Sequence, residues 1–320
     1  MSDVVAPTGS RAAEAGADTP AAAPKKPVTD RAREERRLAW MLCAPAVIAM
    51  LVVTGYPVVY SLWLSLQRAD LRFPDQQEFV GLANYVEVLT ATTWWNDLLA
   101  TLIITVVSVV IELVLGMLLA LVMHRAIFAR GATRAAILIP YGIVTVVAAF
   151  SWRYAFDPNT GFVNQWLNLD TALLTTGAGS FVAIIATEVW KTTPFMALLL
   201  LAGLSLVPDD LHEAAKIDGA TAVQRFFRIT LPLITPAILV ALLFRTLDAF
   251  RIFDAAFVLT GGANGTETVS ILGYNQLINR LNLGLGSAIS VLIFLCVILI
   301  AVMFVKGFGA SAHGQQQEGR

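Results

Sequence analysis

From about residue 38 onward the chain alternates long apolar runs with shorter polar segments. Six runs can be read, at about 38–66, 96–123, 135–156, 181–205, 234–258 and 286–308. Each is long enough to cross the roughly 30 Å hydrocarbon core of a bilayer as a helix rising 1.5 Å per residue. The pattern predicts an all-α polytopic membrane protein with six transmembrane helices and both termini on one side. The first run is too long for the apolar core of a cleaved leader and no convincing cleavage site ends it, so it reads as a retained helix.

Composition agrees with this reading. Of 320 residues, 57% are hydrophobic and 14% charged, with mean hydropathy +0.70, against about 25% charged in a soluble domain. A net charge of −1 with no clustered basic surface gives no footprint for nucleic acid. Charge placement says more. Seven Lys and Arg precede the first run, and three more lie in 124–134 (Arg125, Arg130, Arg134). Another three lie in 206–233 (Lys216, Arg225, Arg228), and Lys306 and Arg320 follow the last span. The opposite side holds Arg68, Arg72 and Arg280. Cationic flanks are retained in the cytoplasm, which places both termini there, in a cell inner or plasma membrane.

Residues 1–37, rich in Ala, Pro, Gly and charge, read as a disordered cytoplasmic tail ending in a basic cluster at the lipid surface, Arg31 to Arg37. Residues 309–320 form a second cytoplasmic tail, and 38–308 the membrane domain. Cys43 and Cys296 lie in apolar runs near opposite ends, where buried thiols act as small hydrophobes. Trp94, Trp95, Trp166 and Tyr274 fall near span boundaries and read as an interfacial belt or as contacts for an external partner.

Catalytic signatures are missing. No Gly-rich loop ends in Gly-Lys-Ser/Thr, so the chain has no means of its own to hold nucleotide phosphates. No His-Glu-x-x-His pair offers a metal site, and no Gly-x-Ser-x-Gly elbow appears. The chain reads as no enzyme by itself, with no cofactor or metal of its own. Gly261-Gly262-Ala263-Asn264-Gly265, on an outer loop, reads as a turn.

The segment 206–233 is the most informative. Pro208 followed by Asp209 and Asp210 is a helix-start signal, Gly219 offers a helix end, and Phe226, Phe227, Ile229 and Leu231 lead to Pro232 and a further helix. Ala214, Ala215 and Ala220 keep the surface low, so that a partner's groove can approach the backbone. Glu213-Ala214-Ala215, three residues, Gly219, nine residues, then Ile229-x-Leu231-Pro232 resembles the EAA loop of permease subunits in binding-protein-dependent ABC importers. Asp218-Gly219-Ala220 with Pro232 and Pro236 is similar to the carbohydrate branch of that family. The likeness extends over about 38–308, notably in Ile139–Val147, Glu188–Phe195, Phe244–Asp254 and Val269–Tyr274, and points within that branch to disaccharide importers, trehalose first.

The resemblance implies a type I ABC importer permease fold with cytoplasmic coupling helices between the fourth and fifth spans. Glu213, Ala214, Ala215, Asp218, Gly219, Leu231 and Pro232 are then the residues coupled to the ATPase. It also implies a second homologous permease subunit, two copies of an ATPase subunit that bind ATP and Mg, and an extracytoplasmic sugar-binding lipoprotein.

Charges inside the spans are the remaining candidates, because an ionisable group at mid-bilayer costs roughly 2.5 to 3.5 kcal/mol on insertion scales and so faces a partner or a wet cavity. Glu112, Lys191 and Arg245 lie near mid-depth. Arg245, Asp248, Arg251 and Asp254 recur every three residues. On one continuous helix neighbours are offset by about 60°, so the four cannot all face one cavity. They read either as a self-neutralising ribbon or as part of a sugar pathway. In the second reading Glu188 and Asn264 add polar groups, while Tyr154, Trp190 and Phe250 add aromatic faces. Pro194 is expected to break span four where it lines a cavity. An ion- or proton-coupled secondary sugar carrier, with Glu112, Lys191 or Asp248 as a relay, is the alternative.

Overall fold

The computed structural model describes residues 30–125, 130–157, 159–166 and 173–317. Two units are distinguished, residues 1–56 and 57–320. In the first, α1 (Asp30–Met50) runs into a π turn at Leu51–Gly55, and its apolar side chains from Leu38 to Val53 are largely exposed. Residues 1–29 of the expected tail lie outside the described residues. The tail's end is helical from Asp30, which the sequence assigned to a disordered segment.

The second unit opens at Pro57 within α2 (Tyr56–Ser65). A two-stranded antiparallel hairpin follows, β1 (Gln67–Arg68) and β2 (Glu78–Phe79), a small exception to the all-α expectation. Then come α3 (Ala83–Thr90), α4 (Thr92–Arg125), α5 (Arg130–Gly142), α6 (Thr145–Ala155), α7 (Phe162–Trp166) and α8 (Gly177–Leu204). The rest is α9 (Asp209–Ile217), α10 (Ala222–Arg225), α11 (Leu231–Ala249), α12 (Asp254–Thr260), α13 (Val269–Tyr274) and α14 (Leu283–Gln317). Among the described residues five helices are long and apolar enough to span a membrane, or six if α5 and α6 form one bent span.

Helix α4 shows how the spans pack. Ile104, Thr105, Ser108, Val109, Glu112, Gly116, Ala120 and Met123 are buried along one stripe, while Val106, Val110, Val114 and Leu118 point outward. Lipid tails are as apolar as Leu, so helix association rests on close packing and interhelical hydrogen bonds, and small residues belong inside. The buried Ala183, Ala197, Ala241, Ala255 and Ala256 fit this rule. At Gly203 of α8 an added Cβ would sit 2.5 Å from Ala237 Cβ of α11, so only glycine allows that approach. The central layer is α4, α8 and α11, with Val109, Met117, Met196, Leu200 and Ile234 interleaved.

Two predicted spans are broken. Between α5 and α6 the chain bends by 84° at Gly142 to Val144. Helix α11 ends at Ala249, not near residue 258, because Phe250 is buried at 1% exposure among Val88, Trp94, Val269 and Ile289 and draws the chain out of line. Tightened bonds from Arg251 N to Asp248 O and Ile252 N to Ala249 O close the turn. Pro194 does not break α8, against expectation. The Thr192 and Thr193 hydroxyls bond the Glu188 and Val189 carbonyls in the turn before the proline.

Trp94 packs in the core instead of an interfacial belt, whereas Trp95 and Trp166 are exposed. Cys43 is exposed and Cys296 half-buried, so the expectation of a buried thiol fails for Cys43.

Candidate functional site: a charge clamp, a cavity and a projecting loop

Three spans meet at one guanidinium. Arg245, 1% exposed, is carried by α11 and donates from Nη2 to Glu112 Oε1 of α4 at 2.9 Å and to Glu188 Oε2 of α8 at 3.0 Å. Its Nε donates to Glu112 Oε2, completing a two-pronged pairing, and Nη1 reaches Asp248 Oδ2 at 2.9 Å. The Thr192 hydroxyl lies 2.8 Å from Glu112 Oε1. A guanidinium suits this position because its planar fork grips carboxylates in pairs and stays charged when buried. Glu112 is fully buried, so Arg245 is its counter-charge, whereas the Asp248 side chain remains 65% exposed. Asp248 therefore belongs to two places at once, the clamp and the wall of a cavity.

That cavity, about 420 Å³, lies between the two span breaks. Glu188, Lys191 and Thr192 line it from α8, Tyr141 and Thr145 from either side of the bend, Asp248 from the last turn of α11, and Arg251 to Ala255 from the turn that follows and the start of α12. Its size falls within the range of small-molecule pockets. The four charges do not all face one cavity, as expected: Arg245 is turned into the clamp, while the break after Ala249 brings Asp248, Arg251 and Asp254 to the cavity wall together. Arg251 Nε reaches only the Leu247 carbonyl, at 3.3 Å, and Asp254 opens α12, where its charge suits the helix dipole.

Lys191 has a separate task. Its ammonium donates to Ile143 O at 2.8 Å and lies 3.4 Å from Tyr141 O, and it sits 5.6 Å from the Tyr141 ring centroid. A helix end leaves carbonyls without partners, and in a membrane those must be satisfied by protein. Lys191 satisfies them at the bend.

The other expected pathway residues separate. Phe250 is buried in the core and presents no face to the cavity. Trp190 packs edge-on against Trp152, and Tyr154 points outward; neither lines the cavity. Asn264 donates to Leu174 O at 2.9 Å and Ser180 Oγ at 3.1 Å, fixing the outer loop to the start of α8. Tyr141, Thr145, Thr192 and Phe253 were missed. Pro140 two residues before Gly142 was the available signal for the bend that exposes Tyr141 and Thr145. Among the described residues no group of His, Cys, Asp and Glu is placed to hold a metal ion.

The projecting loop folds as its residues suggest. Asp209 and Asp210 start α9, and Gly219, at φ +79°, ends it. Gly219 N bonds Lys216 O at 3.0 Å and Ala220 N bonds Ala215 O at 2.9 Å, the paired closure that a left-handed glycine permits. A Thr221–Gln224 capping box then starts α10. The helix resumes at Ala222 and passes through a π turn at Phe226–Thr230 into α11, earlier than the expected start at Pro232. Glu213, Ala214, Asp218 and Gly219 are exposed and Ala215 half-exposed; Leu231 and Pro232 lie at the base of α11.

Residues 112–310, from the clamp glutamate to the last helix, match the inner-membrane component of binding-protein-dependent transport systems. The chain belongs to this family. The permease is 59% identical over 286 residues, 89% of this chain and 93% of the relative, to the trehalose transport system permease protein SugA of Mycobacterium tuberculosis. It is 41% identical over 278 residues, 85% and 94% of the two chains, to the trehalose/maltose transport system permease protein MalF of Thermococcus litoralis. In three dimensions it overlays, with TM-score 0.74, 23% identity and coverage of 89% and 99%, a chain from a bacterial ABC transporter involved in the import of the acidic polysaccharide alginate. The permease thus has the helical fold of type I ABC importers and is a transport subunit, with ATP hydrolysis on a separate chain. Nothing in these likenesses supports the ion-coupled carrier alternative.

Proposed function

We propose that this permease imports a disaccharide, trehalose first, in a complex with a second homologous permease, two ATPase subunits that bind ATP and Mg, and an extracytoplasmic lipid-anchored sugar-binding protein. Both termini and the 206–233 loop face the cytoplasm, in keeping with the placement of Lys and Arg. The observation that carries the reading is the cavity beside the clamp. Asp248, Arg251 and Asp254 offer it donors and acceptors at the depth of two broken spans, the kind of lining that a hydroxyl-rich ligand needs. The name of the 59% identical relative supports the choice of trehalose.

Coupling runs through the loop. Glu213, Ala214, Ala215, Asp218 and Gly219 dock on the ATPase subunits, and Leu231 and Pro232 carry their displacement into α11. The loop must bind the ATPases differently in inward-facing and outward-facing states, since equal affinity shifts nothing. The test is the purified four-component complex in lipid discs, with ATP hydrolysis measured against a panel of disaccharides and the binding protein present. Trehalose is expected to stimulate hydrolysis most, and Glu213→Lys to abolish sugar-stimulated hydrolysis while leaving membrane insertion intact. Stimulation by another sugar alone would overturn the substrate, and unchanged uptake in the Glu213 variant the coupling.

A further inference from the structure

A second cavity, about 440 Å³, opens where the spans meet the projecting loop, away from the sugar site. It is lined by His124 and Arg125 from the end of α4, by Asp209, His212 and Lys216 of α9, and by Arg225 of α10. Three permanent cations and two imidazoles thus face a single carboxylate. Arg225 Nη1 is spent on Ala220 O at 3.0 Å. Among the described residues Arg125, Lys216, His124 and His212 make no hydrogen bond or ion pair.

Part of this charge has a simple account, since His124 and Arg125 sit in the last turn of α4 and Lys216 in the last turn of α9, where cations suit the helix dipole. The dipole does not explain why cations from three separate elements converge on one space. Like charges so gathered leave the space with a surplus of positive charge that attracts an anion.

We propose that this cavity is a binding site for a phosphate group. Guanidinium forks and an ammonium are the side chains that grip phosphate oxygens, and basic pockets between spans at the cytoplasmic face suit phosphate headgroups. The group can come from an anionic phospholipid or from a soluble phosphate compound; the chemistry of recognition is the same. An occupant would tie the end of α4 to both arms of the loop and restrain its movement. That consequence rests on the coupling role proposed above; the binding itself does not.

The experiment uses the complete transporter in discs, in two arms. In the first, discs containing phosphatidylglycerol are compared by lipid retention in native mass spectrometry. In the second, discs of phosphatidylcholine alone are dialysed against labelled inorganic phosphate. Because the ATPase subunits bind phosphate themselves, the quantity read is the difference between the wild type and an Arg125→Gln, Lys216→Gln variant. An Arg125→Lys, Lys216→Arg variant controls for assembly and is expected to bind as the wild type does. Binding is expected to fall about fivefold for each cation removed. A difference in the first arm identifies a lipid headgroup, and one in the second a soluble anion; either supports the site. No difference in either arm overturns it. A wild-type complex that binds the anion without sugar-stimulated ATP hydrolysis supports the site and overturns the transport reading instead.

Discussion

Two sets of charges lie within a few residues of each other in this permease and behave in opposite ways. Arg245, Glu112 and Glu188 are buried, and the guanidinium pairs with both carboxylates, each on another helix. Arg251 and Asp254 face the cavity, and among the described residues neither makes an ion pair. The first set joins three spans, and the second is free to meet a ligand. Asp248 stands between them, bonded to Arg245 and exposed to the cavity. The same residue types therefore divide into charges the protein has already satisfied and charges it leaves open, and the proposed sugar pathway uses the second.

This division is testable by substitution. The largest effect is expected for Arg245→Met, which strands Glu112 without its counter-charge. Breaking a buried pair from one side costs about 3 to 5 kcal/mol. The complex should lose thermal stability in detergent and yield little assembled transporter, and a stable, active Arg245→Met complex would break the comparison. The double variant Arg245→Met, Glu112→Gln should recover part of the loss, because it removes one of the two stranded charges and leaves Glu188.

Next come Arg251→Gln and Asp254→Asn. These should leave assembly and melting unchanged and lower sugar uptake about tenfold, the loss expected when a charged hydrogen bond to a ligand is weakened. A fall in melting temperature equal to that of the Arg245 variant would place them in the structural set after all.

Lys191→Met should act in a third way. Ile143 O and Tyr141 O would lose their donor, at about 1 kcal/mol for these part-buried acceptors. The expected outcome is a moderate drop in melting temperature with increased hydrogen exchange at the α5–α6 bend. The smallest effect is expected at Gly219→Ala. The left-handed backbone is strained by a Cβ, at about 1 kcal/mol, but no neighbour lies within 4 Å of it. Coupled hydrolysis should fall modestly, and more with Gly219→Val.

How much of this was legible before the structure depends on the kind of interaction. Apolar runs announced the spans because a bilayer imposes length and composition directly. The loop was legible because its turn chemistry is local: Asp209, Asp210 and Gly219 act within their own helix. The break after Ala249 was not legible, since it depends on Phe250 finding Val88, Trp94 and Ile289 from distant parts of the chain. Reading a straight helix through Phe250 carried the span to about residue 258, although Arg251 and Asp254 were rightly named as cavity candidates. Glu112, Glu188 and Arg245 could be flagged singly as costly in lipid, but their meeting at one point is a tertiary fact. Trp190, Tyr154 and Phe250 were proposed because aromatic faces suit sugar rings, and that affinity says nothing about which way a helix turns them.

The approach of Gly203 to Ala237 has a mechanical side. Near one end α8 and α11 touch almost backbone to backbone, and further along they are bolted by Arg245 and Glu188. Two fastenings at separate points remove the freedom to pivot that either alone would leave. The pair should travel as a single plank, so that a displacement at the base of one helix carries the other with it.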